Sequence, residues 1–125
     1  MTSSWVRRLL AVGLVSSMLV LIPVASDARD SFKFKASCTG GCHWAPSFKK
    51  VDKGTKIVWK NVSSVTHTVK SYRGHWMHKK FLLPGAKTHK ILRKRGVYFF
   101  RCTIHSTLNN GVCSGMCGKI KVKRR

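Results

Sequence analysis

Residues 96–122, GVYFFRCTIHSTLNNGVCSGMCGKIKV, decide the fold, because they join two strand patterns through a segment that carries metal ligands. The run VYFF is aromatic and β-branched, as in a buried strand, and KIKV alternates as in a half-buried one. Between these runs lie the thiol of Cys102, the imidazole of His105 and the thioether of Met116. These are soft and borderline ligands, so the segment suits copper better than any hard cation.

A second imidazole is needed to complete a copper site of this kind. Two histidines, one cysteine and a weakly bound methionine form the ligand set of blue-copper electron-transfer centres. His67 is the best candidate for the second imidazole, because it lies in the alternating, strand-like segment VTHTV. The other histidines lie in an irregular segment, between lysines, or next to a cysteine near the start of the domain (His75, His78, His89 and His43).

The order of these motifs resembles that of a cupredoxin of the plastocyanin/amicyanin type. The segment VDKGTKIVWKN is followed by HTV, a Pro-Gly turn, GVYFFRCTIH and GMCGKIKV, and the resemblance covers almost everything after the first thirty residues. It implies a type 1 copper protein that carries one electron and has no substrate chemistry of its own. One copper ion, alternating between Cu(I) and Cu(II), is then expected on four ligands: His67, Cys102, His105 and Met116.

The resemblance also implies roles for residues around the ligands. Thr68 is expected to tie the two ligand segments together by a hydrogen bond. His105 is expected to be the ligand nearest the surface, where electrons leave, with an apolar docking patch formed by Trp44, Pro46, Ile104 and Leu108. Residues 106–115 make a longer ligand loop between His105 and Met116 than is common in that family.

From residue 32 onward, short alternating runs are separated by turn residues, without a helical period of useful length. This spacing predicts an all-β, Greek-key β-sandwich in a single small domain, residues 29–125. Strands are expected at 32–36, 48–51, 55–60, 65–70, 87–92, 96–102 and 118–123, with a surface crossover at 71–83 that includes one helical turn. The expected core residues are Trp59, Ile57 or Val58, Val69, Ile91, Tyr98, Phe100, Ile120 and Val122.

Residues 1–28 have the pattern of a secretory signal peptide. Arg7 and Arg8 supply the positively charged N-terminal region, an apolar run covers residues 9–25, and a cleavage-site pattern of small residues ends at Ala28. The pattern predicts export to the periplasm or to the outside of the cell. The alternative is an uncleaved anchor that tethers the protein to a membrane, because the apolar run approaches spanning length.

The chain has five cysteines, an odd number, whereas the cysteines of an exported chain normally pair as disulfides. Cys102 is expected to stay unpaired as a copper ligand, which leaves four cysteines for two bridges: Cys38, Cys42, Cys113 and Cys117. Of the three connectivities we prefer a cross-link between the first pair and the second, which would tie the first loop to the ligand loop. The same cysteines have structural zinc spacing, although zinc would leave the ligand pattern at 102–116 unexplained.

The chain carries 25 lysines and arginines against 3 acidic residues, a formal net charge of +22. Such a field attracts anionic surfaces, so the expected partners are a redox protein with an acidic docking surface and an anionic membrane or wall surface. So few carboxylates argue against general acid–base catalysis, and we expect a monomer without enzyme activity. Specific nucleic-acid binding is not expected. Two competing classes are a copper carrier or chaperone without redox cycling and a basic polyanion-binding protein.

The segment HWMH at residues 75–78 offers two imidazoles and a thioether, which are ligands for a transient second copper ion. The preferred interpretation of His75, Met77 and His78 is a surface loop in which Trp76 packs inward, because the segment lacks a thiolate.

Overall fold

The computed structural model describes residues 13–22, 30–74 and 76–124. Most of the predicted signal segment at 1–28 and His75 therefore lie outside the described residues. Residues 13–22 are exposed and have no regular secondary structure. In the described part of the chain, no helix is long and apolar enough to cross a membrane.

Nine strands, and no helix, occur in the described residues, and they form two sheets. The first sheet has the order β2-β1-β4-β7 and the second the order β3-β9-β8-β5-β6. The strands are β1 Ser31–Ser37, β2 His43–Ala45, β3 Phe48–Asp52, β4 Lys56–Asn61, β5 His67–Arg73, β6 Lys79–Leu82, β7 Lys87–Ile91, β8 Gly96–Asn109 and β9 Val112–Lys123. The predicted all-β sandwich is confirmed.

All seven predicted strands are present, and β2 and β6 are additional. The helical turn expected in the crossover at 71–83 is wrong for the described residues of that segment, in which β5 continues to Arg73 and β6 pairs antiparallel with β5. Strand β6 is a sheet edge whose first three residues are exposed, so its sequence shows no alternation. Strand β2 has only three residues, which is too short for a periodic signal.

The largest difference concerns residues 106–115, which were expected to form a loop. Strands β8 and β9 instead continue as a hairpin, with Asn109 paired to Val112 across a two-residue turn. Asn110 and Gly111 have φ of 49° and 75°, as a type I′ turn requires. The loop expectation is wrong because an Asn-Gly pair is among the strongest hairpin signals in a sequence, and it outweighs the polar composition around it.

The core lies between the two sheets and is centred on aromatic rings. The ring of Phe100 meets those of Phe34, Trp44 and Trp59 at centroid distances of 5.0 Å, 5.4 Å and 5.4 Å. The predicted core residues that are fully buried are Ile57, Trp59, Val69, Phe100, Ile120 and Val122.

Two predicted core residues, Ile91 and Tyr98, are only partly buried. Ile91 pairs with the half-exposed Lys56, which places it on the outer face of the first sheet. Leu92 is buried in its place, with 1% of its surface exposed.

Candidate metal centre

A bulge in β8 lies opposite a single residue of β9. Arg101 pairs with Cys117 and Ser106 pairs with Gly115, so residues 102–105 face Met116 alone. Extra residues on one strand of an antiparallel pair bend that strand and redirect its side chains. The bulge therefore sets Cys102 and His105 at the same level of the hairpin as Met116.

Local contacts hold this bulge closed. The Ser106 hydroxyl donates to the Cys102 carbonyl, and Arg101 Nη1 donates to Ser106 Oγ at 3.1 Å. On the opposite strand Gly115 has φ of 98°, and a Cβ there would lie 2.5 Å from the His105 carbonyl oxygen. Gly115 is thus needed both for its backbone conformation and for its close approach to the bulge.

Strand β5 begins at His67 and delivers it to the bulge. The amide of Thr68 donates to Cys102 Sγ at 3.3 Å, and the amide of Thr103 donates to Thr68 Oγ1 at 2.7 Å. The expected side-chain hydrogen bond between the two ligand segments is therefore present, with Thr68 Oγ1 as its acceptor. These contacts fix the sulfur of Cys102 relative to the backbone of both strands.

Three donor atoms converge at this point. His67 Nδ1 lies 3.2 Å from His105 Nδ1, while Cys102 Sγ lies 3.7 Å from His67 Nδ1 and 3.5 Å from His105 Nδ1. Bond lengths of about 2.0 Å to nitrogen and about 2.3 Å to sulfur place donors around one metal roughly 3.3 to 3.7 Å apart, for angles between tetrahedral and trigonal. The three side chains match that spacing and can hold one metal ion.

The second ring nitrogen of His67 is held by a hydrogen-bond relay. His67 Nε2 lies 2.7 Å from Ser63 Oγ, which lies 2.7 Å from Asn61 Oδ1. Buried Asn61 donates from Nδ2 to the carbonyl of Leu82 at 2.9 Å. An imidazole that binds a metal through Nδ1 carries its proton on Nε2, so the relay favours the tautomer that presents Nδ1 to the site.

Burial keeps His67 ready to bind a metal. The side chain is fully buried, and this burial lowers its pKa below the ordinary value, with a further lowering from the neighbouring His105. Desolvation disfavours the imidazolium form, so the ring stays neutral over a wider pH range. Neutral imidazole is the form that binds metals.

Met116 is fully buried and belongs to the same core cluster as Cys102. Its position follows from the register, which leaves it as the residue of β9 opposite the bulge. A thioether is a weak, soft ligand that would complete the triangle of stronger donors. The ligand role of Met116 stays a prediction, as do those of His67, Cys102 and His105.

The site is buried on one side and approaches the surface on the other. His67 is fully buried, whereas His105 is half-buried. Of the expected docking patch, Ile104 and Leu108 expose 54% and 40% of their surface, and Pro46 is also exposed. The expectation for Trp44 is wrong: only 1% is exposed, because β2 turns this ring inward against Phe100.

The disulfides join Cys38 to Cys42 and Cys113 to Cys117. The preferred cross-link between the two pairs is therefore wrong, because each pair closes its own turn over four residues. The zinc interpretation fails with it, since these sulfurs are bonded to each other and offer no thiolates. Cys102 is the free cysteine among the described residues, as predicted.

His78 takes part in packing instead of joining a cluster of donors. Its ring centroid lies 5.0 Å from that of Trp59, and its Nε2 lies 3.3 Å from Thr88 Oγ1. Burial first, and then the nearby charges of Lys90, Lys80 and His89, lower its pKa to about 4. Met77 is 84% exposed, and His75 lies outside the described residues. Within the described residues, the groups of three side chains that could hold a metal ion both include His67, and His78 belongs to neither of them.

Three comparisons with known proteins bear on this site. No family model and no curated protein matches the sequence. Among solved structures, a purple cupredoxin from Nitrosopumilus maritimus is 20% identical with a TM-score of 0.59, and the match covers 73% of this chain and 98% of that one. A mutant of amicyanin in its Cu(I) form is 16% identical with a TM-score of 0.60, covering 74% of this chain and 82% of that one.

A copper-containing nitrite reductase from Thermus scotoductus is 18% identical with a TM-score of 0.60. The match covers 76% of this chain but only 23% of the reductase, so it concerns one part of that enzyme. At these identities the likeness concerns the fold, and the arrangement of two sheets around a ligand-bearing hairpin agrees with it. The chain has the cupredoxin fold.

Proposed function

We propose that this chain is an exported type 1 copper protein that carries one electron at a time. The copper ligands are His67, Cys102, His105 and Met116. The observation that carries the proposal is the triangle of two imidazole nitrogens and one free thiol sulfur, with edges of 3.2 Å, 3.5 Å and 3.7 Å. A copper ion on these ligands would supply the redox change, because thiolate favours Cu(I) and imidazole accepts both oxidation states.

The chain's own part is to keep the ligands in place in both oxidation states. Thr68 fixes the sulfur of Cys102, Ser63 fixes the ring of His67, and the Cys113–Cys117 disulfide closes the bend that carries Met116. Preorganised ligands do not need to move when the charge of the site changes, so little reorganisation opposes electron transfer.

The surface around the site suits transfer to a protein partner. Segments 36–48, 61–69 and 102–118 meet at this end of the sandwich, and none of them contains Lys, Arg, Asp or Glu. The half-buried His105 lies beside the exposed Ile104, which makes it the natural exit for an electron.

The basic residues lie on the flanks of the sandwich. In the first sheet, Lys60 of β4 is directly opposite Lys35 on one side and Lys87 on the other. Like charges placed directly opposite each other repel, and no carboxylate lies between these three lysines to offset the repulsion. We therefore infer a redox partner with an acidic surface around an uncharged centre, and an anionic membrane or wall surface as a further contact.

Export by residues 1–28 completes the proposal and leaves residues 29–125 as the working domain. Two disulfides in a small domain are typical of proteins outside the reducing cytosol. The protein would act in the periplasm or outside the cell as a monomer, without catalysis.

The test of electron transfer is voltammetry of the copper-loaded domain adsorbed on an electrode. We expect a reversible one-electron couple, because the ligands are fixed before copper binds. A domain that binds Cu(I) tightly but shows no reversible couple would instead be a copper carrier or chaperone.

A further inference from the structure

A second group of soft donors lies on the far side of His67. Cys38 Sγ is 3.5 Å from His67 Nε2, the nitrogen that faces away from the predicted copper site. The donor atoms of Cys38, Cys42 and His67 all lie within 4.8 Å of one another. One imidazole therefore has a free thiol beside its first nitrogen and a disulfide beside its second.

The Cys38–Cys42 turn is open to reagents. Both cysteines are half-buried, and the residues between them, Thr39, Gly40 and Gly41, are exposed. A Cβ added at either glycine would meet no atom within 4 Å, so the turn has room to change conformation. Attack on a disulfide by an incoming thiolate requires access of this kind.

We propose that reduction of the Cys38–Cys42 disulfide opens a second metal site, formed by the two thiolates and His67 Nε2, that takes Cu(I). The reductant is a protein dithiol: its two thiols become a disulfide, the sulfur–sulfur bond between Cys38 and Cys42 breaks, and two electrons and two protons pass to these cysteines. Cu(I) then displaces the two protons as it binds the sulfurs. No other reactant is consumed.

The number and kind of donors select Cu(I). Thiolates are soft ligands that favour Cu(I), and imidazole is also suited to copper. Structural zinc normally requires four ligands, whereas this group offers three among the described residues. Ser63 Oγ now occupies the hydrogen-bonding position at Nε2, and it is displaced when the metal binds there.

The two sites share one neutral imidazole and therefore alternate. Binding through Nε2 moves the remaining proton of His67 to Nδ1, which removes that nitrogen from the triangle with Cys102 and His105. Oxidation of the two thiolates by a partner disulfide forms the Cys38–Cys42 bond again, and the partner becomes a dithiol that takes two electrons from the thiolates and two protons from water. This step releases Cu(I) and Nε2, the His67 proton returns to Nε2, and Nδ1 can again bind a metal. The outer site would thus receive Cu(I) at Nε2 and deliver it to the inner site at Nδ1. This delivery role rests on the proposed function, whereas the existence of the outer site does not.

The test measures how much Cu(I) the protein retains against a chromogenic Cu(I) chelator, with and without prior reduction by a water-soluble phosphine. Cys102→Ser serves as the starting protein, because it removes the thiolate of the inner site. We expect the reduced form to retain one equivalent of Cu(I) that the oxidised form gives up. Equal retention before and after reduction would overturn the proposal, whatever the behaviour of the inner site.

Matched variants show which cysteines bind the retained Cu(I). Cys113→Ser/Cys117→Ser, made in the same protein, should keep the extra equivalent, whereas Cys38→Ser/Cys42→Ser should lose it. His67→Ala in the reduced protein should weaken Cu(I) binding at least about tenfold, since even an outer partner of a metal ligand commonly contributes that much. Retention that follows Cys113 and Cys117, or that does not respond to His67→Ala, would contradict the assignment.

Discussion

The two disulfide turns have the same spacing but different surroundings. Cys38–Cys42 closes an exposed turn beside the outer nitrogen of His67, and its glycines have open space around them. Cys113–Cys117 closes the bend at Gly115, which packs against the backbone of His105. All four cysteines are half-buried, so the two bridges differ in what they contact: the first lies beside His67, and the second closes the hairpin that carries Met116. Neighbouring residues, and not the Cys-x₃-Cys spacing, determine what each bridge does.

The largest difference in stability loss between the two turns should be seen on comparing Gly115→Ala with Gly41→Ala. The two glycines have similar φ, 98° and 102°, so both variants carry the same backbone strain of about 1 to 2 kcal/mol. Only at position 115 does the new Cβ meet backbone, 2.5 Å from the His105 carbonyl oxygen, which adds about 3 kcal/mol. Denaturant unfolding of the metal-free proteins measures both losses.

Gly115→Ala should also weaken copper binding, because the bulge that carries Cys102 and His105 must shift to accept the methyl group. Gly41→Ala is the matched control for left-handed backbone strain. Equal loss of stability in the two variants would show that the hairpin does not pack as tightly as described.

The second prediction concerns two variants that each lack one disulfide, compared in stability and in copper affinity. Both disulfides close loops of the same length, so Cys38→Ser/Cys42→Ser and Cys113→Ser/Cys117→Ser should each cost about 2 kcal/mol of unfolding free energy. Copper affinity should fall more in the Cys113/Cys117 variant, because Met116 lies within that bridged segment. Chelator competition measures this difference, and a larger loss in the other variant would reverse the roles given to the two turns.

The third and smallest effect concerns the relay on the outer side of His67. Ser63→Ala removes the hydrogen-bond partner of His67 Nε2 and should lower copper affinity about tenfold. Ser64→Ala is the control, because Ser64 is exposed and has no side-chain hydrogen bond among the described residues. Copper titration in the presence of a competing chelator compares the two, and identical affinities would mean that the relay does not orient the ring.

Much of this architecture could be predicted from the sequence. Alternation located seven strands, because a strand with one buried face repeats every two residues. The chemistry of Cys102, His105 and Met116 pointed to one metal site between the last two strands, although on a loop, and His67 in the segment VTHTV completed a triangle that the structure assembles. The odd cysteine count left one thiol over, and the expected ligand role of Cys102 identified it as the unpaired one, as the structure has it.

Other features depend on contacts between distant segments. The pairing of four cysteines depends on which turns the chain closes, and sequence spacing allows three answers. The bulge at 102–105 depends on the register of two strands, and the inward ring of Trp44 depends on the pairing of β2 with β1. The Asn-Gly turn is different, because its signal was present in the sequence and predicts a hairpin by itself.

The central claim is a type 1 copper site on His67, Cys102, His105 and Met116, and a Cu(II) titration followed in the visible spectrum tests it most directly. We expect an intense thiolate-to-copper band at one equivalent, which disappears reversibly on reduction. Cys102→Ser should abolish the band, and Met116→Leu should shift it. A colourless complex, or a band that survives Cys102→Ser, would contradict the assignment.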